Sequence, residues 1–307
     1  MHIHTERKGY IMTTTTLNLA NPSSSRTQLW AENANINTVD SAGLTMRYLK
    51  MGQGEPLVLI HTLRTQLDYF SKIIPELAKY YTVYALDLPG HGYSDITKQV
   101  HDKPLFIHHV TELIKTLKLE NVTLVGESVG GSISLGIAAQ AKVSISRVIA
   151  LNPADYVNSN GLDRSSTLGK ILFTGIRLPF IGWIISNAEK RDVLQQVLEG
   201  GFENNSNLPA YLVDEFSRVG NRKGYSKAFR SIFLNWKSWT EGQKAYSNIK
   251  VPVTLVYADH DWATTAERHS NKALIKDATL ITIKDCGHFS ALDRPEQVVK
   301  AILQGDA

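Results

Sequence analysis

The stretch Val122-Thr123-Leu124-Val125-Gly126-Glu127-Ser128-Val129-Gly130-Gly131 decides how this chain is read. Its first four residues are apolar or β-branched and read as a buried strand, and Ile133 to Ala139 just beyond reads as a buried helix. Between them, Gly126-Glu127-Ser128-Val129-Gly130 fits the pattern G-x-S-x-G. Composition alone produces such a match in roughly one chain in ten of this length, so the context has to carry it. A serine on a sharp strand-to-helix turn sits on strained backbone, and a Cβ on either flanking glycine would collide with the adjacent strand or helix. The plainer alternative is a serine that merely caps the helix.

Working outward, short β-branched runs alternate with longer amphipathic stretches, the pattern of a mostly parallel sheet with helices on both faces. Ile36 to Val39 and Leu44 to Met51 suggest an opening hairpin around Ser41-Ala42-Gly43. Pro56–Ile60, Thr82–Leu86, Val122–Val125, Val148–Leu151, Val253–Tyr257 and Thr279–Ile283 read as buried strands. Helical patterns fall at Tyr69–Lys79, Leu105–Leu117, Val129–Ala141, Ala266–Ile275 and Pro295–Leu303. The alternation stops between about Asp155 and Ser247, where helical segments follow one another. The expected organisation is a flexible leader at 1–28, an α/β core at 29–154 and 248–307, and a helical cap at 155–247. Within the cap, Ile171 to Ile185 and then Phe229, Phe233, Trp236 and Trp239 recur at helical spacing. Periodic apolar stripes of this kind are expected to pack cap against core, and part of them to wall an apolar pocket.

A serine hydroxyl is a poor nucleophile at neutral pH and needs a base, normally a histidine oriented by a carboxylate. Of the ten histidines, His288 is the candidate base: Asp285-Cys286-Gly287-His288-Phe289 follows the last strand and precedes the last helix. Asp259 and Asp261, after the Val253 strand, and Asp155, after the Val148 strand, are the candidate carboxylates.

With these residues in place, the chain from about Ile36 onward resembles a capped member of the α/β-hydrolase superfamily. Asp87-Leu88-Pro89-Gly90-His91-Gly92-Tyr93-Ser94 is similar to its D-x-P-G-x-G-x-S loop. Ala258-Asp259-His260-Asp261 resembles its G-x-x-D turn with Ala258 in place of Gly, an alignment that selects Asp261. Gly287-His288-Phe289 with Arg294-Pro295-Glu296 resembles its G-H-F...P-E ending, and the order Ser, Asp, His is the family's. The resemblance implies an oxyanion hole built from the backbone N–H groups of Leu63 and Val129. One departure stands out: His61-Thr62-Leu63-Arg64 occupies the place of H-G-x-P. A β-branched Thr62 there suggests a different loop path, with Arg64 either reaching into the pocket toward an acidic substrate group or held elsewhere by a surface contact. Phe289 is a further candidate for contact with substrate.

The resemblance implies a serine esterase for hydrophobic carboxylic esters. Dehalogenases and epoxide hydrolases of this fold use aspartate at the elbow. Serine members that cleave carbon–carbon bonds, cofactor-free perhydrolases and slow hydrolase-fold receptors remain as alternatives, the first with tryptophan where this chain has Phe289. A net charge of +4 without a Lys/Arg stripe argues against nucleic acid. No nucleotide loop, no H-E-x-x-H and no cysteine cage is present, so neither cofactor nor metal is expected. His2 and His4 are read as solvated, and Met12 is an alternative start. A lone cysteine, Cys286, demands no oxidising compartment and fits a cytoplasmic protein. It is read as a small core residue. Ile171 to Ile185, interrupted by Arg177 and Pro179, is too short to span a bilayer.

Overall fold

The computed structural model of the protein describes residues 26–304 apart from 32–33, 157–160 and 188–189. The expected leader lies, up to residue 25, outside the described residues, as do His2, His4 and Met12. Its last residues belong to the fold: Arg26–Leu29 is a 3-10 turn whose buried Thr27 accepts a hydrogen bond from Arg47 Nη2 at 3.2 Å.

Eight strands form one sheet: β1 (Asn35–Ser41), β2 (Leu44–Met51), β3 (Pro56–Ile60), β4 (Thr82–Leu86), β5 (Val122–Glu127), β6 (Ile145–Leu151), β7 (Val253–Ala258) and β8 (Thr279–Ile283). Their spatial order is β1-β2-β4-β3-β5-β6-β7-β8. The β1–β2 and β2–β4 pairs are antiparallel and all others parallel. A parallel strand covered on both faces has no solvent side, which is why β3 and β5 read as unbroken apolar runs and are buried along almost their whole length.

The helices are α1 (Ile74–Leu77), α2 (Lys103–Thr116), α3 (Val129–Gln140), α4 (Thr167–Gly175), α5 (Ile181–Asn187), α6 (Arg191–Glu199), α7 (Ala210–Gly220), α8 (Tyr225–Leu234), α9 (Lys237–Gly242), α10 (Thr265–Leu274), α11 (Ser290–Asp293) and α12 (Pro295–Leu303). Local chemistry sets several starts. Asp102 accepts from Leu105 N–H at 2.9 Å at the head of α2, and Thr264 with Glu267 makes a reciprocal capping box at α10. The helix expected over Tyr69–Lys79 is instead a 3-10 turn at Leu67–Phe70 followed by the single turn α1. Pro75 explains the break: it lacks an N–H to continue a helix begun upstream, and it is tolerated only in the first turn, where it sits.

Between β6 and β7 every regular element among the described residues is helical, α4 to α9 with short 3-10 turns. The apolar periodicity here divides in two. Phe229, Phe233, Trp236 and Trp239 form a continuous aromatic row, edge-to-face between the two phenylalanines and stacked beyond them, with ring separations of 5.1–6.0 Å. Much of Ile171–Ile185 does not pack against the core: Phe180 is 87% and Trp183 66% exposed. The expectation that this stretch is core is therefore corrected for its outward side. Burying a side chain of this class is worth about 1.5–3 kcal/mol, which α5 forgoes at each such position.

Candidate functional site

At the end of β5 the chain reverses into α3 through Ser128, held at φ +58° and ψ −119°. Non-glycine residues avoid such a conformation unless the surroundings impose it. Here they do: Ser128 N–H donates to Leu151 O at 2.9 Å and Ser128 O accepts from Ala154 N–H at 3.1 Å, fixing the turn to the end of β6. The flanking glycines are steric necessities. A Cβ at Gly126 would lie 2.1 Å from Gly130 O, and one at Gly130 would lie 2.0 Å from Ile60 O. The capping alternative fails, because the Ser128 side chain makes no capping hydrogen bond. The residue lines a cavity.

The loops after β7 and β8 bring a carboxylate to an imidazole. His288 Nδ1 lies 2.5 Å from Asp261 Oδ1, with both side chains fully buried. The other Asp261 oxygen accepts from Ala263 N–H at 3.0 Å, which orients the carboxylate. The two rival carboxylates are spent elsewhere. Asp259 takes the N–H groups of Asp285 and Cys286, each at 3.1 Å, tying the two loops together. Asp155 accepts from Tyr246 Oη at 2.7 Å and lies 3.5 Å from the buried Lys103 ammonium. The far imidazole nitrogen, His288 Nε2, is buried and has no hydrogen-bond partner among the described residues. The structure thus brings Asp261 to His288, while a hydrogen bond between Ser128 and His288 is not formed in it.

Thr62 and Leu63 follow β3 and line the same cavity. The left-handed residue of this loop is Arg64, at φ +63°, and not Thr62, so the β-branched side chain is accommodated without strain at its own position. His61 shapes the turn as expected of it: Nδ1 donates to Thr62 O at 2.7 Å and Nε2 accepts from Leu88 N–H at 3.0 Å. Burial lowers its pKa to about 4, in keeping with a neutral ring that donates at one nitrogen and accepts at the other. Leu63 N–H donates to no group among the described residues, and Val129 N–H opens α3, where the first donors of a helix lack intrahelical partners. Arg64 lines the cavity, but its guanidinium donates to Phe216 O at 2.9 Å and lies 5.0 Å over the Tyr225 ring. Those partners come from α7 and α8. Phe289 lines the cavity from the His288 loop, and its N–H donates to Gly201 O at 3.0 Å, joining that loop to the helical insert.

Three residues of the site carry no motif of their own. Glu127, beside Ser128, is fully buried and accepts from Ser290 N–H and Oγ at 2.6 Å, Tyr69 Oη at 2.7 Å, Asn152 Nδ2 at 3.3 Å and Ala291 N–H at 3.3 Å. It therefore clamps the elbow to the segment just after His288. Burial raises its pKa, and the donors from Ser290 and Tyr69 work against that rise. Asn152 Nδ2 also holds His288 O at 2.8 Å. Trp262 stacks on the His288 ring, 3.8 Å between centroids and 10° from parallel. A carboxylate closing an apolar strand was the one available signal for Glu127. Cys286, two residues before His288, is buried, and burial pushes its thiol well up, which makes it an inert core residue.

The cavity that Ser128, Trp262 and Phe289 line has a volume of about 260 Å³. Ser128, Thr62, Leu63 and Trp262 contribute from the sheet side; Leu172, Phe173, Ile176, Phe229 and Phe233 contribute from the insert. Arg64 is the one ionisable side chain among the described residues on its wall. No cluster of three or more His, Cys, Asp or Glu suited to a metal occurs among the described residues, and no helix among them is long and apolar enough to cross a membrane.

Comparison with known proteins agrees with this geometry. A family model described as the alpha/beta hydrolase fold matches residues 55–172. The (E)-2-((N-methylformamido)methylene)succinate hydrolase of Acinetobacter baylyi is 28% identical over 264 residues, covering 84% of this chain and 92% of that protein. The 2-hydroxy-6-oxo-6-(2'-aminophenyl)hexa-2,4-dienoic acid hydrolase of Metapseudomonas resinovorans is 23% identical over 279 residues, covering 86% and 88%. Among solved structures, Cfl2 from Burkholderia cenocepacia superposes with a TM-score of 0.78 at 20% identity, covering 88% of this chain and 95% of its own. From the sheet order, the elbow and these likenesses together, the chain has the α/β-hydrolase fold, and the relatives it resembles are hydrolases.

Proposed function

We propose that the protein is a serine hydrolase that cleaves carboxylic esters with a hydrophobic acyl or alcohol part. The observation that carries this reading is a strained Ser128 on the wall of an apolar cavity, in a structure that also pairs Asp261 with a buried His288. Ser128 Oγ attacks the ester carbonyl and His288 Nε2 takes its proton. Asp261 holds Nδ1–H, which fixes the tautomer and stabilises the imidazolium. The N–H groups of Leu63 and Val129 receive the developing oxyanion, each donor worth about 3 to 4 kcal/mol in a comparable site. His288 then protonates the leaving alcohol, a water activated by the same imidazole attacks the acyl-enzyme, and Ser128 recovers its proton as the acid departs. No cofactor enters this scheme. Residues 155–247 act as the cap that closes the cavity over a core formed by 29–154 and 248–307.

A second reading, hydrolysis of a carbon–carbon bond, is favoured by one observation: the Metapseudomonas relative is named as a hydrolase of a 2-hydroxy-6-oxo-dienoic acid. Two features weigh against it here. Phe289 follows the base, and the single cation on the cavity wall, Arg64, is already bonded to the Phe216 carbonyl. A p-nitrophenyl ester series from acetate to long acyl chains, with wild type and Ser128→Ala side by side, tests the first reading. Turnover by the wild type that the variant loses supports it. A folded wild type no faster than the variant on every ester, yet active on a vinylogous 1,5-diketone acid, replaces it with the second.

A further inference from the structure

The insert presents apolar side chains both inward and outward from the same short segment. Ile184 and Ile185 of α5, with Leu172, Phe173 and Ile176 from α4 and the residue after it, wall the cavity that ends at Ser128. On the outer side Ile171, Leu178, Phe180, Ile181 and Trp183 are all 44–87% exposed, and Ile184 is both exposed and part of the cavity wall. The cavity's rim therefore opens into an apolar surface. Phe180, the most exposed of them, is held at φ +58° between Pro179 and α5, a conformation that bulky residues avoid. The turn is braced in this position, because Arg230 on α8 donates to Ile176 O at 3.0 Å and to Leu178 O at 3.1 Å.

The two segments that form the turn and its neighbour are rich in cations, with Asp163, Glu189 and Glu241 just outside them and Lys237 paired to Glu241 at 3.5 Å. From Ser165 to Asn187 the sequence contains Lys170 and Arg177 and no acidic residue, and from Asn221 to Thr240 it contains Arg222, Lys223, Lys227, Arg230 and Lys237 and again none. The α5 helix packs on α8, so the two cationic segments meet around the apolar turn, where Lys170, Lys223 and Lys227 are exposed. Exposed Trp, Phe and Ile ringed by Lys and Arg is the composition of an element that lies in a membrane interface rather than across it. A second copy of the chain is the poorer partner, because a two-fold contact would set this cationic rim against itself.

We propose that the α4–α5 turn and the outer face of α5 dock on a lipid bilayer bearing anionic headgroups, and that the cavity fills from that bilayer. The filling step rests on the serine-hydrolase reading; the docking step does not. Phe180 and Trp183 insert among the acyl chains, the lysines meet the phosphates, and a lipophilic ester reaches Ser128 past Ile184 without crossing water.

The test is co-sedimentation of the full chain with vesicles of phosphatidylcholine alone and of phosphatidylcholine mixed with phosphatidylglycerol. The wild type is expected to pellet with the anionic vesicles, less so at high salt. Phe180→Asn with Trp183→Gln should stay in the supernatant while hydrolysing soluble p-nitrophenyl butyrate at the wild-type rate and losing its rate on a long-chain ester dissolved in the vesicles. Asparagine is chosen because it tolerates the left-handed backbone at 180. Lys170→Glu with Lys227→Glu should weaken pelleting at least about tenfold. A wild type that does not pellet, or a Phe180/Trp183 variant that pellets equally well, overturns the proposal. So does sedimentation velocity showing a wild-type dimer that this variant dissolves, with no vesicle binding. Ser128→Ala separates the two claims: it should pellet as the wild type does, and if it also keeps full esterase activity the catalytic reading fails while the docking stands.

Discussion

The strand ends of the sheet and the helical insert face each other across one cavity, and they are built on opposite principles. At the strand ends nearly every polar group is committed: Asp259 ties two loops, Asp87 accepts from Leu67 and Tyr93 N–H and pairs with Arg47 at 3.0 Å, and Glu127 gathers five donors. Such networks fix atoms to fractions of an ångström, as bond making requires. The insert meets the cavity with side chains that are almost all apolar, whose contacts are non-directional and which can repack around different guests. The contrast separates two jobs. Substitutions at the strand ends should reduce turnover of every ester alike, and substitutions on the insert should sort esters by size.

The largest expected effect is Ser128→Ala, with a loss in kcat that approaches about 10⁶-fold on all esters, measured under pre-steady-state conditions to exclude contaminating activity. Asp261→Asn should follow, with a loss of about 10⁴-fold, because the amide stabilises the wrong tautomer of His288 while leaving the ring in place. If Asp259→Asn lost more than Asp261→Asn, the assignment of the acid would be wrong. On the other side of the cavity, Leu172→Trp fills space without touching the polar groups. It should lower kcat/KM on long acyl esters by about 10- to 100-fold, the range that a few methylenes command in an apolar pocket, and leave acetate nearly unchanged. An equal loss on acetate and on long chains would erase the distinction between the two regions.

How much of this was legible in the sequence follows from the same division. Ser128, Asp261 and His288 each stand in a local motif just after a strand, so the chain itself marks them. The strands are legible because a doubly covered parallel sheet leaves continuous apolar runs. Contacts made only in three dimensions are not legible: the stacking of Trp262 on His288 joins residues 26 apart, and the clamp from Glu127 to Ser290 joins residues 163 apart. Nor does an apolar periodicity say what it faces. Phe233 and Trp183 carry the same kind of signal in sequence, yet the first is buried and the second exposed. Pro75 broke a helix whose hydrophobic pattern ran straight through it.

Glu127 offers a sharper probe of the strand-end region, because its role is to hold other groups rather than to touch substrate. In Glu127→Gln one acceptor oxygen becomes a donor that faces donors already in place. The expected cost is about 1–3 kcal/mol of stability, read from urea unfolding, with a fall in kcat rather than a rise in KM. A change confined to KM would place Glu127 in substrate binding and not in positioning.

The smallest expected effect concerns acid, and here too the core side of the molecule should respond. Burial lowers the pKa of His61 to about 4 and holds His91, His101 and His109 below their ordinary value near 6.5. A histidine whose folded pKa is depressed binds fewer protons folded than unfolded, so its contribution is complete above pH 6.5 and is lost as the pH falls toward the folded value. Asp87 works in the opposite sense. Burial raises its pKa to about 6, so between about pH 4 and 6 acid favours its folded, protonated form. Glu127, whose carboxyl pKa burial also raises, acts in the same sense as Asp87, so four depressed histidines oppose two raised carboxyls, and the melting temperature should be lower at pH 5.0 than at pH 7.5. Replacing His91 by Gln removes one of the four and should flatten that dependence. A melting temperature that rises between pH 7.5 and 5.0 would mean that the buried carboxyls of Asp87 and Glu127, and not the buried imidazoles, govern how the core answers to protons.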